Sequence, residues 1–295
     1  MCELANVSRA GYYRWLQPPE EDLCEEMRLR SAIQQASLDH RFYGYRRIAA
    51  LLRQQDWIVN TKRVRRLMNE DGLLAIRRRK FVATTDSSHE MQIYPNLAAS
   101  LELSDVNQLW VADLTYIRLG EQFLFLAVVL DAYSRRVVGW AVGEHLTSEL
   151  ALRALDMAIQ VRNPRPGLVH HSDRGVQYAS HCYIDRLESI GALASMSRPG
   201  RPWENGKCES FMKTIKQEEV DARSYRDRGE LERNIEEFIE QNYNKVRLHS
   251  ALGYRSPQDF ESAAGLAARG SGPNSPWRPA AMSFKRHKEI YSDAI

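Results

Sequence analysis

The chain of 295 residues carries 41 Lys/Arg against 38 Asp/Glu, a net charge of +3, with 43% hydrophobic and 27% charged residues. That length and mixture fit two or three globular domains with a real core, and a charge so close to balance says little about partners by itself. The four cysteines (Cys2, Cys24, Cys182, Cys208) include no C-x-x-C pair, and no apolar run approaches the roughly 18 residues of a membrane span. A zinc knuckle, a disulfide framework and a membrane anchor are excluded; with no signal pattern at the N-terminus, a cytoplasmic protein is expected.

In chain order, "VSRAGYYRW" opens with Ser8 as the cap of a short helix, which reads as the second half of a helix-turn-helix whose first helix would precede Met1. A helix over 22–38 follows. Ile48, Leu51 and Leu52 then mark one face of a helix over 45–55, and 56–59 make a turn. Asn60 caps a helix over 61–71 with Val64, Leu67 and Met68 at helical spacing, and Gly72 ends it.

Two helices about a short turn, the second carrying Lys62, Arg63, Arg65 and Arg66, form a helix-turn-helix candidate for DNA. From Arg41 to Lys80 there are twelve Lys/Arg against three Asp/Glu, a surplus suited to phosphate contacts, although a solvated basic helix pair has the same composition. The expected division is a helical DNA-binding region over 1–80, a linker over 81–103, a catalytic core over 104–262 and a poorly packed tail over 263–295.

The period changes at Asn107. "NQLWVADLTYIRL", "QFLFLAVVLD" and "RRVVGWAVG" are three β-rich runs with short connections, hence an antiparallel meander. A helix over 147–162 capped by Thr147, a strand "GLVHHSD", a helix over 180–190 ending at Gly191, and a strand "ALASMS" come next. A helix from "SRPGRPWENGKCESFMKTIKQ" and another over 228–245 complete the order. Three strands, then helix, strand, helix, strand and helix, is the element order of the ribonuclease H-like fold, an α/β architecture. Its right-handed crossovers would set strands four and five parallel to strand one.

That order gives three acids a common destination. Asp113 lies inside the first strand, on the face of Val111 and Thr115, where a carboxylate is costly unless paired or bound to metal. Asp173 ends the fourth strand, and Glu209 sits on the helix after the fifth. Each has a bland reading alone: a hydrogen-bonded core aspartate, a cap for the turn at Arg174-Gly175, and a surface glutamate. Together at one sheet edge they suit Mg²⁺, and two ions about 3.5–4 Å apart would serve an in-line phosphoryl displacement.

Thirty-five residues separate Asp173 from Glu209, within "HSDRGVQY" and "RPGRPWENGKCESFMKTIK". With "YGYRRIAALLR", "NTKRVRRLM", "WVADLTYIRL", "LDAYSRRVVGWAV" and "YNKVRLHSALGY", the chain from about Ser8 to Pro257 closely resembles the OrfB-type DDE transposases of the IS-three family, within the retroviral integrase superfamily. The resemblance implies that Asp113, Asp173 and Glu209 are the catalytic, metal-holding triad, with Mg²⁺ as cofactor and Mn²⁺ as a substitute. It also implies DNA element ends and target DNA as partners, a homo-oligomer on DNA, and an OrfA partner or fusion. Glu204-Asn205 stands where the family usually has Asp-Asn, and Leu248 where a proline is common.

The expected activity is metal-dependent DNA cleavage and strand transfer at insertion-sequence ends. Its rivals are a ribonuclease H-like nuclease that does not join, and an inactive DNA-binding derivative. Lys213 and Lys216 share a helical stripe with Asn205 and Glu209, and are expected to follow the DNA backbone. His170 and His171 lack a Cys/His pair to complete a zinc site, and Cys208 is turned about 100° from Glu209 toward packing. Trp203 and Tyr178 are read equally as base-stacking or packing residues.

Overall fold

The computed structural model describes residues 8–16, 20–73, 92–198 and 201–270. The chain divides into two compact units, Met1–Val82 and Ala83–Ile295. Among the described residues no helix is long and apolar enough to cross a membrane.

The first unit is helical: α1 (Arg9–Leu16), α2 (Glu20–Asp39), α3 (Tyr45–Gln54) and α4 (Thr61–Glu70). Its caps are those the sequence indicates. Ser8 Oγ accepts from Gly11 N at 3.0 Å, and Asn60 Oδ1 accepts from Lys62 N at 2.8 Å. Gly72 takes the left-handed φ of +68° that ends α4, a conformation open to glycine without steric cost. Leu29 and Ile33 of α2, Ile48 and Leu52 of α3, and Val64, Leu67 and Met68 of α4 are all buried, each worth about 1.5–3 kcal/mol of transfer free energy. The α3–α4 turn is braced by Arg53, whose Nη2 donates to Val59 O at 3.0 Å and to Thr61 Oγ1 at 2.8 Å.

The second unit is built on a five-stranded sheet in the order β3-β2-β1-β4-β5. Its strands are β1 (Leu109–Leu119), β2 (Gln122–Asp131), β3 (Val137–Gly143), β4 (Val169–Ser172) and β5 (Leu193–Met196). The first three are antiparallel, and β4 and β5 run parallel to β1, as the crossover rule requires. Strand alternation sends Trp110 and Ala112 to one face, under α5 (Ser148–Arg162) and α7 (His181–Ser189), with the short α6 (Val176–Ala179) before it. Val111 and Ile117 go to the other, under α8 (Gly206–Glu218) and α9 (Arg228–Glu237). Thr147 caps α5 through Leu150 N at 3.4 Å. At Gly139 α5 approaches so closely that a Cβ would overlap the Ala154 carbonyl. This is the ribonuclease H-like integrase core preceded by a helical unit.

Three boundaries differ from expectation. The helix expected over 228–245 leaves α-geometry at Glu237 and continues as a π-helical turn, Phe238–Tyr243. The wider turn buries Phe238, Ile239 and Tyr243 together, and it delivers Asn244, whose side chain pairs with Val137 N and O of β3 at 3.0 Å each.

The tail boundary at 263 is not an element end. Helix α10 (Pro257–Gly270) runs through it on strongly helix-forming alanines, anchored by Glu261 to Arg136 at 3.3 Å and to Arg162. Residues 271–295 lie outside those described. Part of the expected linker belongs to the core: Tyr94 is buried beside Trp110, and Leu97 N donates to Ser195 Oγ at 2.9 Å. Arg77–Lys80 and 81–91 lie outside the described residues.

Candidate active site

Strand register brings the two aspartates together. The β1–β4 ladder pairs Leu109 with Val169 and Val111 with His171, and continuing it two residues sets Asp173 alongside Asp113. Glu209 arrives from α8, whose buried stripe of Cys208, Phe211, Met212 and Ile215 seats the helix on the same face as Val111. The three acids are within electrostatic reach of one another. The Asp113 carboxyl is pushed up to about 7, first by burial and then by the charges of Asp173 and Glu209. The Leu114 amide, which donates to Asp113 Oδ1 at 2.9 Å, and the Lys216 charge pull the other way.

Two of the three bland readings are also partly realised. Asp173 Oδ1 accepts from Gly175 N at 2.9 Å, so it does cap its turn. Glu209 is about a third exposed and pairs with Lys213 at 3.8 Å, one helical turn on. Among the described residues no three His, Cys, Asp or Glu side chains form a ready-made cation cage. The donor set still fits a hard cation. Mg²⁺ needs only one or two carboxylates beside water and substrate phosphate, and a carboxyl whose anion is disfavoured by burial and two like charges is stabilised when a cation binds.

The remaining expectations sort cleanly. Cys208 is fully buried and its thiol is held well above its usual range by burial, so it packs. Tyr178 is buried in the α5–α7 core, which removes it from base stacking, whereas Trp203 is 67% exposed. His170 and His171 are buried and hydrogen-bonded, to Tyr183 Oη at 3.0 Å and to Ser195 and Ser197 Oγ at 2.8 and 2.9 Å. Burial drops them to about 3 and about 4, which makes them neutral braces behind β4 with no face for DNA.

Lys216 is not a free phosphate contact either. Its Nζ lies 4.2 Å from the centroid of the Tyr116 ring, and burial lowers its affinity for the proton. On α4 the four cations divide. Arg63 and Arg66 pair with Glu25 and Glu26 of α2 at 3.1 and 3.3 Å, while Lys62 and Arg65 are exposed, Arg65 lying 5.4 Å over the Tyr45 ring.

Sequence reasoning missed the clasp at Glu204, noting it only as a departure. Its carboxylate accepts from Asn96 Nδ2 at 2.7 Å and from Arg198 N and Nε at 2.8 Å each, which lowers it to about 2. The signal was there: an acid beside an amide, placed between a Gly/Pro loop and the start of a helix.

Residues 104–202 and 191–257 match integrase core domain families, and residues 25–81 match an HTH-like domain. A 31 kDa protein of the insertion element IS600 from Shigella sonnei is 41% identical over 263 residues, 88% of this chain and 97% of its own. The chain belongs to the IS3 family of insertion-sequence transposases. The transposase InsF of IS3A from Escherichia coli K12 is 33% identical over 89% of this chain and 93% of its own. The HTLV-2 integrase catalytic core in complex with magnesium is 17% identical with a TM-score of 0.43, over 53% of this chain and 97% of that one. Integrase-core proteins are polynucleotidyl transferases.

Proposed function

We propose that this transposase cleaves DNA at insertion-sequence ends and joins the freed ends to target DNA, with Asp113, Asp173 and Glu209 as its catalytic, metal-holding triad. The observation that carries the reading is the convergence of three carboxyls from separate elements: strand register sets Asp173 beside Asp113, and α8, packed on the same face, brings Glu209 within electrostatic reach. A bound pair of Mg²⁺ ions, or Mn²⁺ in their place, would supply activation of the attacking oxygen and neutralisation of the leaving one.

The chain's own residues do the rest. Asp113 and Asp173, fixed by strand register, would hold the cations where β4 ends, and Glu209 would complete the set from α8. Water attacks first and a DNA 3′-hydroxyl second, with no covalent link to the protein. Lys213, which pairs with Glu209, would balance the phosphate approaching the acids, and Lys216 the charge of Asp113 itself. Lys62 and Arg65 would contact DNA from α4, with Arg63 and Arg66 held partly by α2. The working assembly is a homo-oligomer on DNA, with an OrfA partner or fusion supplying further end recognition.

The test is a cleavage and strand-transfer assay on oligonucleotides carrying the element's ends, with and without Mg²⁺. Cleavage without joining would leave a nuclease, and neither activity would leave a DNA-binding protein.

A further inference from the structure

Helix α8 carries Glu209 in its first turn, and its apolar stripe sets which way the carboxylate faces. Apolar packing is non-directional, so it resists sliding along the helix axis less than rotation out of the core. Each residue of slippage would move Glu209 by about 1.5 Å. Something directional must fix the helix lengthwise.

We propose that Asn205 is that positioning residue. It ends the 3₁₀ turn Pro202–Asn205, immediately before α8, and is only 5% exposed. Its Nδ2 donates to Ala112 O at 2.9 Å. Ala112 directly precedes Asp113, and the β1–β4 ladder ends one residue earlier, at Val111 and His171. One hydrogen bond thus joins the peptide beside the first acid to the turn that starts the third acid's helix. Glu209 lies four residues on, about one helical turn. Glu204 holds the same turn from the opposite side, through Asn96 and Arg198.

A second feature separates this role from simple stabilisation. Asn205 Oδ1 is buried and has no hydrogen-bond partner among the described residues. An unmet buried acceptor costs free energy; a leucine of the same size would remove it but leave Ala112 O without its donor, so the amide adds little net stability over an apolar side chain. What the amide supplies is direction, and misplacing a reacting group by about 1 Å can cost about 10²-fold in rate.

The inference rests on Glu209 belonging to the proposed site, and the test keeps the two apart. Full-length Asn205→Leu, near-isosteric, and Asn205→Ala are compared with wild type and Glu209→Gln. Thermal melting and Mn²⁺ binding by calorimetry are measured on DNA-free protein, and the Mg²⁺ requirement on end cleavage.

Asn205→Leu should melt close to the wild-type temperature, yet bind Mn²⁺ about 10- to 100-fold more weakly and need correspondingly more Mg²⁺. Wild-type metal behaviour in both Asn205 variants, beside a dead Glu209→Gln, overturns the positioning role and leaves the site standing. Loss of cooperative melting in both variants overturns it too, because the amide would then hold the fold. A Glu209→Gln protein that binds Mn²⁺ and cuts like wild type removes the site itself.

Discussion

Asp113 and Asp131 are the same residue type on neighbouring strands, three positions apart across the β1–β2 ladder, where Asp131 pairs with Trp110. Burial raises both carboxyls. Asp131 is fully buried and surrounded by donors: Asn107 N at 2.7 Å, Tyr133 N at 3.0 Å, Ser134 N at 2.9 Å and Ser134 Oγ at 3.2 Å. It ties the start of β1 to the turn after β2. Asp113 has its own neighbour's amide, and two carboxylates that push it further up. Burial alone therefore does not mark a functional acid. The neighbours do: donors make a brace, and like charges make a site that wants a cation.

The sharpest way to break this contrast is to neutralise each acid. Asp113→Asn, Asp173→Asn and Glu209→Gln should each reduce cleavage and joining to background while DNA binding persists, since binding rests on distributed phosphate contacts. Removing a like charge should leave the melting temperature of Asp113→Asn unchanged or raised. Asp131→Asn should do the reverse, costing about 3 kcal/mol, or several degrees of melting temperature, with activity lost only as folding is lost. Near-normal cleavage by any of the three would drop that residue from the site.

The same sorting applies to cations, with a smaller effect. Arg63 and Arg66 have carboxylate neighbours on α2, while Lys62 and Arg65 face outward. Replacing Lys62 and Arg65 together by Gln should lower the salt slope of binding to end DNA by about 2, at about 0.9 per phosphate. Replacing Arg63 and Arg66 should change the slope less. It should also cost under about 1 kcal/mol of stability, because those pairs are half exposed. A larger slope change from the arginine pair would reverse the assignment.

The sheet and its crossovers were legible because β1 to β3 are long β-rich runs with short connections and β4 and β5 are short runs fenced by helices, and α4 carries a cap that local chemistry dictates. The acids were legible because Asp113 interrupts an apolar strand. What was hidden depends on contacts far apart in sequence. Nothing near Glu204 announces Asn96, 108 residues away, and nothing near Arg63 announces Glu25 on another helix. The π-turn was hidden because Phe238, Ile239 and Tyr243 read as helix in a window too short to show one extra residue. Tyr178 shared a neighbourhood with the acids in sequence while facing the opposite side of the sheet.

The last predicted effect concerns His170, which belongs with Asp131 among the braces. Its ring accepts or donates to Tyr183 Oη at 3.0 Å, lies against Tyr178 and Tyr183, and is pressed down to about 3 by burial and by neighbouring His171. An unfolded histidine takes a proton near pH 6.5. Above that pH the ring is neutral in both states and its contribution to stability is complete. As pH falls, the unfolded chain gains a proton that the folded chain refuses, so stability is lost progressively toward the folded value near 3. By pH 5 that amounts to about 2 kcal/mol for one such ring. The melting temperature should therefore fall from pH 6.5 to 5, and His170→Gln should fall less steeply because one of the two buried rings is gone. Parallel slopes for the two proteins would mean that His170 is not the neutral brace its surroundings make it.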